Sequence, residues 1–250
     1  MVAAAQPTAA PALQVEARGL GLQRGGAWLF RDLDLMLPRG RFIAVTGPSG
    51  AGKSSLLACL GGTLDPTEGE IRYACANGCS HRVADFQPRV GRVFQNLMLS
   101  ENSSLLTNVL CGRLGRHAWW RTLFGFPAGD REDAARWLQE LGLARYVHRR
   151  VADVSGGEQQ RTAVARALQQ EPEIVLADEP VSSLDAPLAD RVIDLLRHQT
   201  RDRGCTVVCV LHDERLVARA ADLVIRFLRE SEGGRGAVRV ESGPGAGGEA

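Results

Sequence analysis

One eight-residue run constrains this chain more than anything else in it. Gly47-Pro-Ser-Gly-Ala-Gly-Lys53-Ser54 separates an apolar stretch, residues 41–46, from a stretch of helix formers, residues 53–60. The first reads as a buried strand, the glycines as a tight loop and the last as a helix, so the order is strand, glycine-rich loop, helix. A triphosphate needs many donors at short range. Glycines let main-chain N–H groups turn inward, and the helix that follows adds its positive end. In that frame Gly47, Pro48, Ser49, Gly50, Ala51 and Gly52 form the cradle, and Ser55 joins it from the first helical turn. Lys53 reaches the β- and γ-phosphates, and the Ser54 hydroxyl is a ligand for Mg²⁺. A plain glycine-rich turn beside a solvated lysine would leave the strand and helix on either side as coincidence.

The rest of the chain repeats the alternation. Residues 173–178, 206–211 and 222–227 are short apolar runs that read as buried strands, and residues 188–199 read as a helix. This pattern predicts an α/β fold with a mainly parallel sheet and crossover helices. The middle differs. Residues 130–143 carry Ala134, Leu138 and Leu141 at helical spacing, and residues 156–168 read as a second helix. Residues 97–171 are therefore expected to form a helical subdomain inserted into the core. The expected domain spans residues 13–230. Residues 1–12 and the glycine-rich 231–250 are expected to be disordered tails, with a last weak strand at 238–240.

Composition narrows the partners. The formal net charge is +1 and aromatic residues make up 5%, so neither a basic face for a phosphate backbone nor a stacking platform for bases is expected. Among the 6 cysteines only Cys75 and Cys79 approach a zinc-type spacing, and no second pair or histidine motif completes a site. The expectation is separate, reduced thiols. No apolar run is long enough to cross a bilayer, and residues 1–12 lack a basic leader. A membrane role would need docking on other chains.

Two further motifs carry chemistry. The run 174–177 ends in Asp178-Glu179, at the carboxyl end of a strand, where parallel sheets bind ligands. Asp178 would hold Mg²⁺ through water, and Glu179 would polarise an attacking water as general base. After a strand alone, this pair is more often a cap or a solvated turn; the upstream loop gives it force. Ser155-Gly-Gly-Glu158-Gln-Gln-Arg161 opens a helix. Ser155, Gly156 and Gly157 expose free N–H groups, while Ser155 with Glu158 also makes a good capping box. Both readings can hold together.

The order of these motifs, with Ser182-Ser-Leu-Asp185 and the lone His212 after an apolar strand, resembles the ATP-binding subunit of an ABC transporter over about residues 14–228. The resemblance implies a P-loop core with a parallel sheet, an inserted helical subdomain and a small antiparallel β portion near the N-terminus. It implies that Gln95, in Val93-Phe-Gln-Asn96, senses Mg²⁺ and touches a membrane partner. Asp185 would cross a dimer interface, and His212 would contact the γ-phosphate. It implies a head-to-tail homodimer that sandwiches ATP twice, each site built from one copy's P-loop and the other's Ser155–Glu158. It implies integral membrane permease subunits, an extracytoplasmic solute-binding protein acting through them, and a peripheral place at the cytoplasmic face of the cell (inner) membrane. The activity implied is ATP hydrolysis coupled to transport.

A narrower resemblance, to the phosphonate-importer branch, rests on Leu105-Leu-Thr-Asn-Val-Leu-Cys-Gly-Arg-Leu-Gly115, Trp120-Arg-Thr-Leu-Phe124 and Ala177-Asp-Glu-Pro-Val-Ser-Ser-Leu-Asp185. Import of phosphonate or a related oxyanion is the expectation. The alternatives are a transporter ATPase for another solute, or a soluble ABC ATPase acting on ribosomes or DNA. Soluble members usually carry tandem cassettes or long coiled-coil insertions, and this chain has one cassette and no sustained heptads. A small-molecule kinase would leave 155–161 unexplained. Two positions depart from the family pattern. Val154 and Glu158 stand where Leu and Gln are usual, and Arg24 stands where an aromatic commonly stacks on adenine. Arg24 is expected to lie flat against the purine instead, with Trp28 as its competitor.

Overall fold

In the computed structural model the described residues are 13–74, 80–86, 89–117, 125–228 and 237–244. The strand that leads into the glycine loop, β3 (Phe42–Thr46), is buried at every position. It lies second from one side of a parallel array with β6 (Val90–Val93), β7 (Ile174–Asp178), β8 (Thr206–Val210) and β9 (Leu223–Phe227), in the order β9-β3-β8-β7-β6. A further strand, β10 (Val238–Ser242), adds antiparallel to β9. The expected weak strand at 238–240 is thus a five-residue edge strand, and that part of the presumed tail is ordered into the sheet.

A sheet covered on both faces sends alternate residues into two cores. Phe42, Ala44, Val175, Ala177, Val207 and Cys209 enter one core. Ile43, Val45, Ile174, Leu176, Val208 and Val210 enter the other. The second core is closed by α1 (Lys53–Leu60) and by a separate antiparallel sheet of β1 (Leu13–Arg24), β2 (Ala27–Pro38), β4 (Glu68–Ala74) and β5 (Ser80–Arg82), in the order β2-β1-β4-β5. Tyr73 joins this sheet to α1 by donating its hydroxyl to the Leu60 carbonyl, and its ring stacks at 4.6 Å on Phe86 of the short α2 (Val83–Phe86).

The first core is covered by α3 (Leu105–Leu110), α4 (Ala128–Glu140) and α5 (Gly156–Gln169), the inserted helical part, and by α6 (Ala186–Arg203) and α7 (Glu214–Ala220). Leu105, Leu138 and Val164 are fully buried there. Truncating such a residue to Ala costs about 2–5 kcal/mol. Arg113 anchors the helical part by pairing with Asp130, Asp133 and Glu171, and its hydrogen bond holds the Glu171 carboxyl down at about 2.

Two helix boundaries differ from expectation. α4 ends at Glu140 although Leu141 continues the apolar spacing, because Gly142, at φ +71°, turns the chain and its N–H returns to the Gln139 carbonyl. α6 runs beyond 188–199 at both ends. Asp185 caps its start by accepting from the Leu188 N–H at 2.9 Å, and Gly204, at φ +63°, ends it.

Cys75 and Cys79 lie outside the described residues, as do residues 1–12. Of the others, Cys59, Cys205 and Cys209 are buried and Cys111 is exposed, all four as free thiols. Burial pushes the Cys59 thiol up to about 11 and Cys205 up to about 12, so these are inert packing residues.

Candidate active site at the carboxyl edge of the sheet

Parallel strands end together. The loops after β3, β6, β7 and β8 therefore gather at one edge of the sheet, carrying respectively Gly47–Ser54, Gln95, Asp178-Glu179 and His212.

The glycine loop is held by conformation and close packing. Gly47, Gly50 and Gly52 have φ of +134°, +78° and +104°, which side-chain-bearing residues rarely adopt. A Cβ on Gly47 would lie 2.6 Å from the Phe227 carbonyl oxygen, whereas one on Gly50 would meet nothing within 4 Å. The loop is thus seated on β9 at its base and open at its tip. Gly52 starts α1 with no side-chain cap, which leaves the first-turn N–H groups available to an anion.

Lys53 is only 5% exposed and curls back, its Nζ donating to the carbonyls of Gly47 at 2.9 Å and Pro48 at 2.8 Å. Burial pushes its ammonium below the usual value, and the carboxylates of Glu179 and Asp178 pull it back up. Ser54 Oγ donates to Asp178 Oδ1 at 3.1 Å. Burial raises the Asp178 carboxyl, with Glu179 adding to the effect, while Ser54, Lys53 and His212 oppose it.

Glu179 sits at φ +52°, a left-handed conformation that costs a non-glycine residue about 1–2 kcal/mol. Its carboxylate Oε1 lies 2.7 Å from Nε2 of His212. His212 is placed by the bond from the Leu211 N–H to the Val45 carbonyl, 3.1 Å, which pins the chain after β8 onto β3. A cleft of about 380 Å³ opens beside this pair, lined also by Val181, Leu184 and Leu216. The structure therefore brings Lys53, Ser54, Asp178, Glu179 and His212 into one cluster.

The start of α5 is a separate feature. Ser155 and Gly156 are exposed, and both halves of the capping box are present. Glu158 Oε2 accepts from the Ser155 N–H at 2.8 Å and from its Oγ at 2.9 Å. Burial would raise the Glu158 carboxyl, but these hydrogen bonds outweigh it and hold it below its ordinary value. Among the described residues, no hydrogen bond or ion pair joins 155–158 to 47–55 of the same chain.

Gln95 is exposed and, among the described residues, makes no side-chain hydrogen bond. The register Val93↔Ala177 sets it just beyond β6, on the side where Asp178 ends β7. In the turn that follows, Leu97 and Met98 have φ of +52° and +47°. Arg166 of α5 holds this strained turn by donating to both their carbonyls, at 2.6 and 2.5 Å. Arg24 is exposed at the end of the β1–β2 hairpin, paired with Ala27. Trp28 is already engaged: it reaches 3.0 Å from where a Cβ on Gly21 would stand, and the Arg31 guanidinium lies 4.5 Å from its ring centroid.

The donor set fits Mg²⁺ carried with a triphosphate. Ser54 and Asp178 supply two hard oxygens side by side, and no cluster of three or more His, Cys, Asp or Glu able to cage a metal exists among the described residues. Mg²⁺ is typically held by one or two protein oxygens, with water and phosphates completing its octahedron. Gln160, a 5%-exposed polar residue on α5, also meets the loop carrying Glu179 and is not among the residues expected from the sequence. Its only sequence signal is a glutamine on the apolar side of a helix.

Comparison with known proteins identifies the family. A sequence model of the ABC transporter family matches residues 30–182. The chain is 40% identical over 197 residues to the Phosphonates import ATP-binding protein PhnC of Trichormus variabilis, covering 79% of this chain and 81% of that protein. It is 41% identical over 202 residues to the Phosphite import ATP-binding protein PxtA of Stutzerimonas stutzeri, covering 80% and 74%. A solved ATP-binding cassette, dimeric in a post-hydrolysis state with ADP and Pi, superposes with a TM-score of 0.77 at 28% identity, covering 91% of this chain and 98% of that one.

Proposed function

The chain belongs to the ABC transporter family as an ATP-binding, ATP-hydrolysing subunit, and on that premise we propose that it powers the import of phosphonate or a related oxyanion through a membrane permease. The observation that carries the site assignment is the pairing of Ser54 with Asp178 and of Glu179 with His212 around an uncapped helix start.

In this reading Lys53 leaves the Gly47 and Pro48 carbonyls for the β- and γ-phosphates, which the N–H groups of 47–55 also hold. Ser54 and Asp178, with Gln95, would hold Mg²⁺, which would supply positive charge to offset that of the phosphates. Glu179 takes the proton of the attacking water. His212 orients Glu179 and turns toward the γ-phosphate when it is present. Arg24 faces the adenine. The free N–H groups of Ser155, Gly156 and Gly157 serve the nucleotide on a second copy, and Asp185 lies at the interface between copies. That, among the described residues, no hydrogen bond or ion pair joins these groups to the P-loop of their own chain, and that the 28%-identical cassette is dimeric, support this arrangement.

No helix among the described residues is long and apolar enough to cross a membrane. The proposed place is peripheral, at the cytoplasmic face of the inner membrane on permease subunits, with an extracytoplasmic solute-binding protein acting through them. The names of the 40%- and 41%-identical relatives support phosphonate or phosphite as cargo.

The test is reconstitution with candidate permease subunits in vesicles. ATPase activity should rise when the binding protein carries methylphosphonate or phosphite. A complex stimulated equally by an unrelated solute would overturn the cargo; failure to copurify with any permease would overturn the transport role.

A further inference from the structure

We infer that Gln160 is a positioning residue that couples the two nucleotide sites of a dimer, by fastening the helix that grips one nucleotide to the loop that carries the base for the other. The inference rests on the reading that Glu179 is the base and that the start of α5 serves the partner copy's nucleotide.

Gln160 lies in the second turn of α5 and uses both ends of its amide. Its Nε2 donates to the Glu179 carbonyl at 2.6 Å and to Ser182 Oγ at 3.2 Å. Its Oε1 accepts from the Ser183 N–H at 3.1 Å and from Ser183 Oγ at 2.5 Å. One buried side chain thus engages three residues of the segment 179–183. The fit is close elsewhere on the same face: a Cβ on Gly157 would lie 3.1 Å from Leu184 Cδ2 and 3.3 Å from the Ser183 carbonyl oxygen. Gly157 and Gln160 together seat this loop directly on the helix start.

The loop has a reason to need such seating. Glu179 occupies a left-handed conformation, and a strained backbone persists only where its surroundings over-determine it. Its carbonyl accepts from Gln160, from the Ser182 N–H at 3.3 Å and from Ser182 Oγ at 3.2 Å. Of these, only the Gln160 contact comes from outside the loop. The Glu179 carboxylate projects from this backbone toward His212. A shift of α5 of a few tenths of an ångström therefore moves the base, and a misplaced general base loses rate steeply.

The consequence for a dimer is specific. Ser155–Gly157 of one copy would close on the partner's γ-phosphate, while Glu179 of the same copy works on its own. Docking at one site pulls α5, and Gln160 passes that movement to the base of the other. The wild-type dimer should then hydrolyse ATP with a Hill coefficient above one.

The experiment uses the full chain with Gln160→Met, which keeps length and removes both polar ends. Expected are a fall in kcat on the order of tenfold or more, a Hill coefficient close to one, and an ATP affinity of the monomeric P-loop within about twofold of wild type. A residue that merely packs would lower thermal stability and leave the Hill coefficient alone. Ser183→Ala, at an exposed position, covers the case in which Gln160→Met fails to fold. It should lower kcat by a few-fold, on the order of one hydrogen bond's worth, and lower the Hill coefficient with it. Wild-type kcat and cooperativity in folded Gln160→Met, or in Ser183→Ala if the first does not fold, overturn the coupling while Glu179→Gln is inactive. Turnover in Glu179→Gln would instead overturn the assignment of the base beneath it.

Discussion

Two glycines in the same loop should fail in different ways when replaced by alanine. At Gly47 the new Cβ would stand 2.6 Å from the Phe227 carbonyl oxygen and 2.7 Å from its Cβ, with φ at +134°. Neither neighbour is the end of a flexible side chain, so the β3 and β9 ends must separate. Left-handed strain of about 1–2 kcal/mol and an overpacking cost of about 1–3 kcal/mol sum to about 2–5 kcal/mol. For a chain of this size each kcal/mol lowers Tm by about 2–4 °C, giving a fall of about 4–20 °C. At Gly50 only the strain remains, because nothing lies within 4 Å of the added methyl. Gly50→Ala should lose about 1–2 kcal/mol but place its methyl where a phosphate would approach, so its defect should be in ATP affinity. Chemical denaturation without nucleotide, beside titration of a fluorescent ATP analogue, separates the two. Gly47→Ala within 1 kcal/mol of wild type, or Gly50→Ala with unchanged affinity, would refute the reasoning.

Asp178→Asn should keep the Ser54 hydrogen bond but lose Mg²⁺-dependent stabilisation by ATP. Because the folded Asp178 carboxyl is raised by burial, its charge opposes stability at neutral pH, and that penalty fades as pH falls through the raised value toward the ordinary one. The variant should therefore melt no lower than wild type at pH 7 without nucleotide, the gap closing on acidification; a lower Tm at pH 7 contradicts the burial cost. Arg24→Ala should weaken ATP binding about 2- to 30-fold if the guanidinium covers the base. Trp28→Ala should instead cost stability, since that ring is already packed against Gly21 and Arg31; the reverse pattern in ATP titrations would reassign the role to Trp28. In purified mixed dimers of Lys53→Ala with Ser155→Arg, one site carries both defects and the other none, so ATPase activity should return although each homodimer is inactive. No recovery would mean that each site is built within one chain.

What was legible in the sequence was local. The glycine spacing sits between a strand and a helix, and the loop adopts the positive φ that spacing demands. Ser155 and Glu158 stand three apart, and both capping hydrogen bonds form. Asp178 and His212 each follow an apolar run, so the parallel sheet carries them to one edge. Whatever depends on a distant partner was not legible. The need for glycine at 47 comes from Phe227, and the role of Gln160 comes from the path of 179–183, neither of which leaves a periodic trace. The same holds for the end of α4: Leu141 keeps the helical spacing, and only the left-handed Gly142 shows that the helix has stopped. Gln95 was readable as a motif but not as a contact, since the turn beyond it is held from the backbone by Arg166 of a helix far along the chain.

The most direct measurement of the central claim, that two copies close on ATP and that Glu179 is the base that lets them reopen, is sedimentation velocity of Glu179→Gln with Mg²⁺ and ATP, beside its ATPase rate. The amide keeps the shape of Glu179 and its reach to His212 while removing the proton acceptor. The account predicts nearly absent turnover and a stable ATP-bound dimer, which reverts to monomer when Ser155→Arg is added to both copies. Turnover at the wild-type rate, or a monomer at saturating ATP, would contradict it.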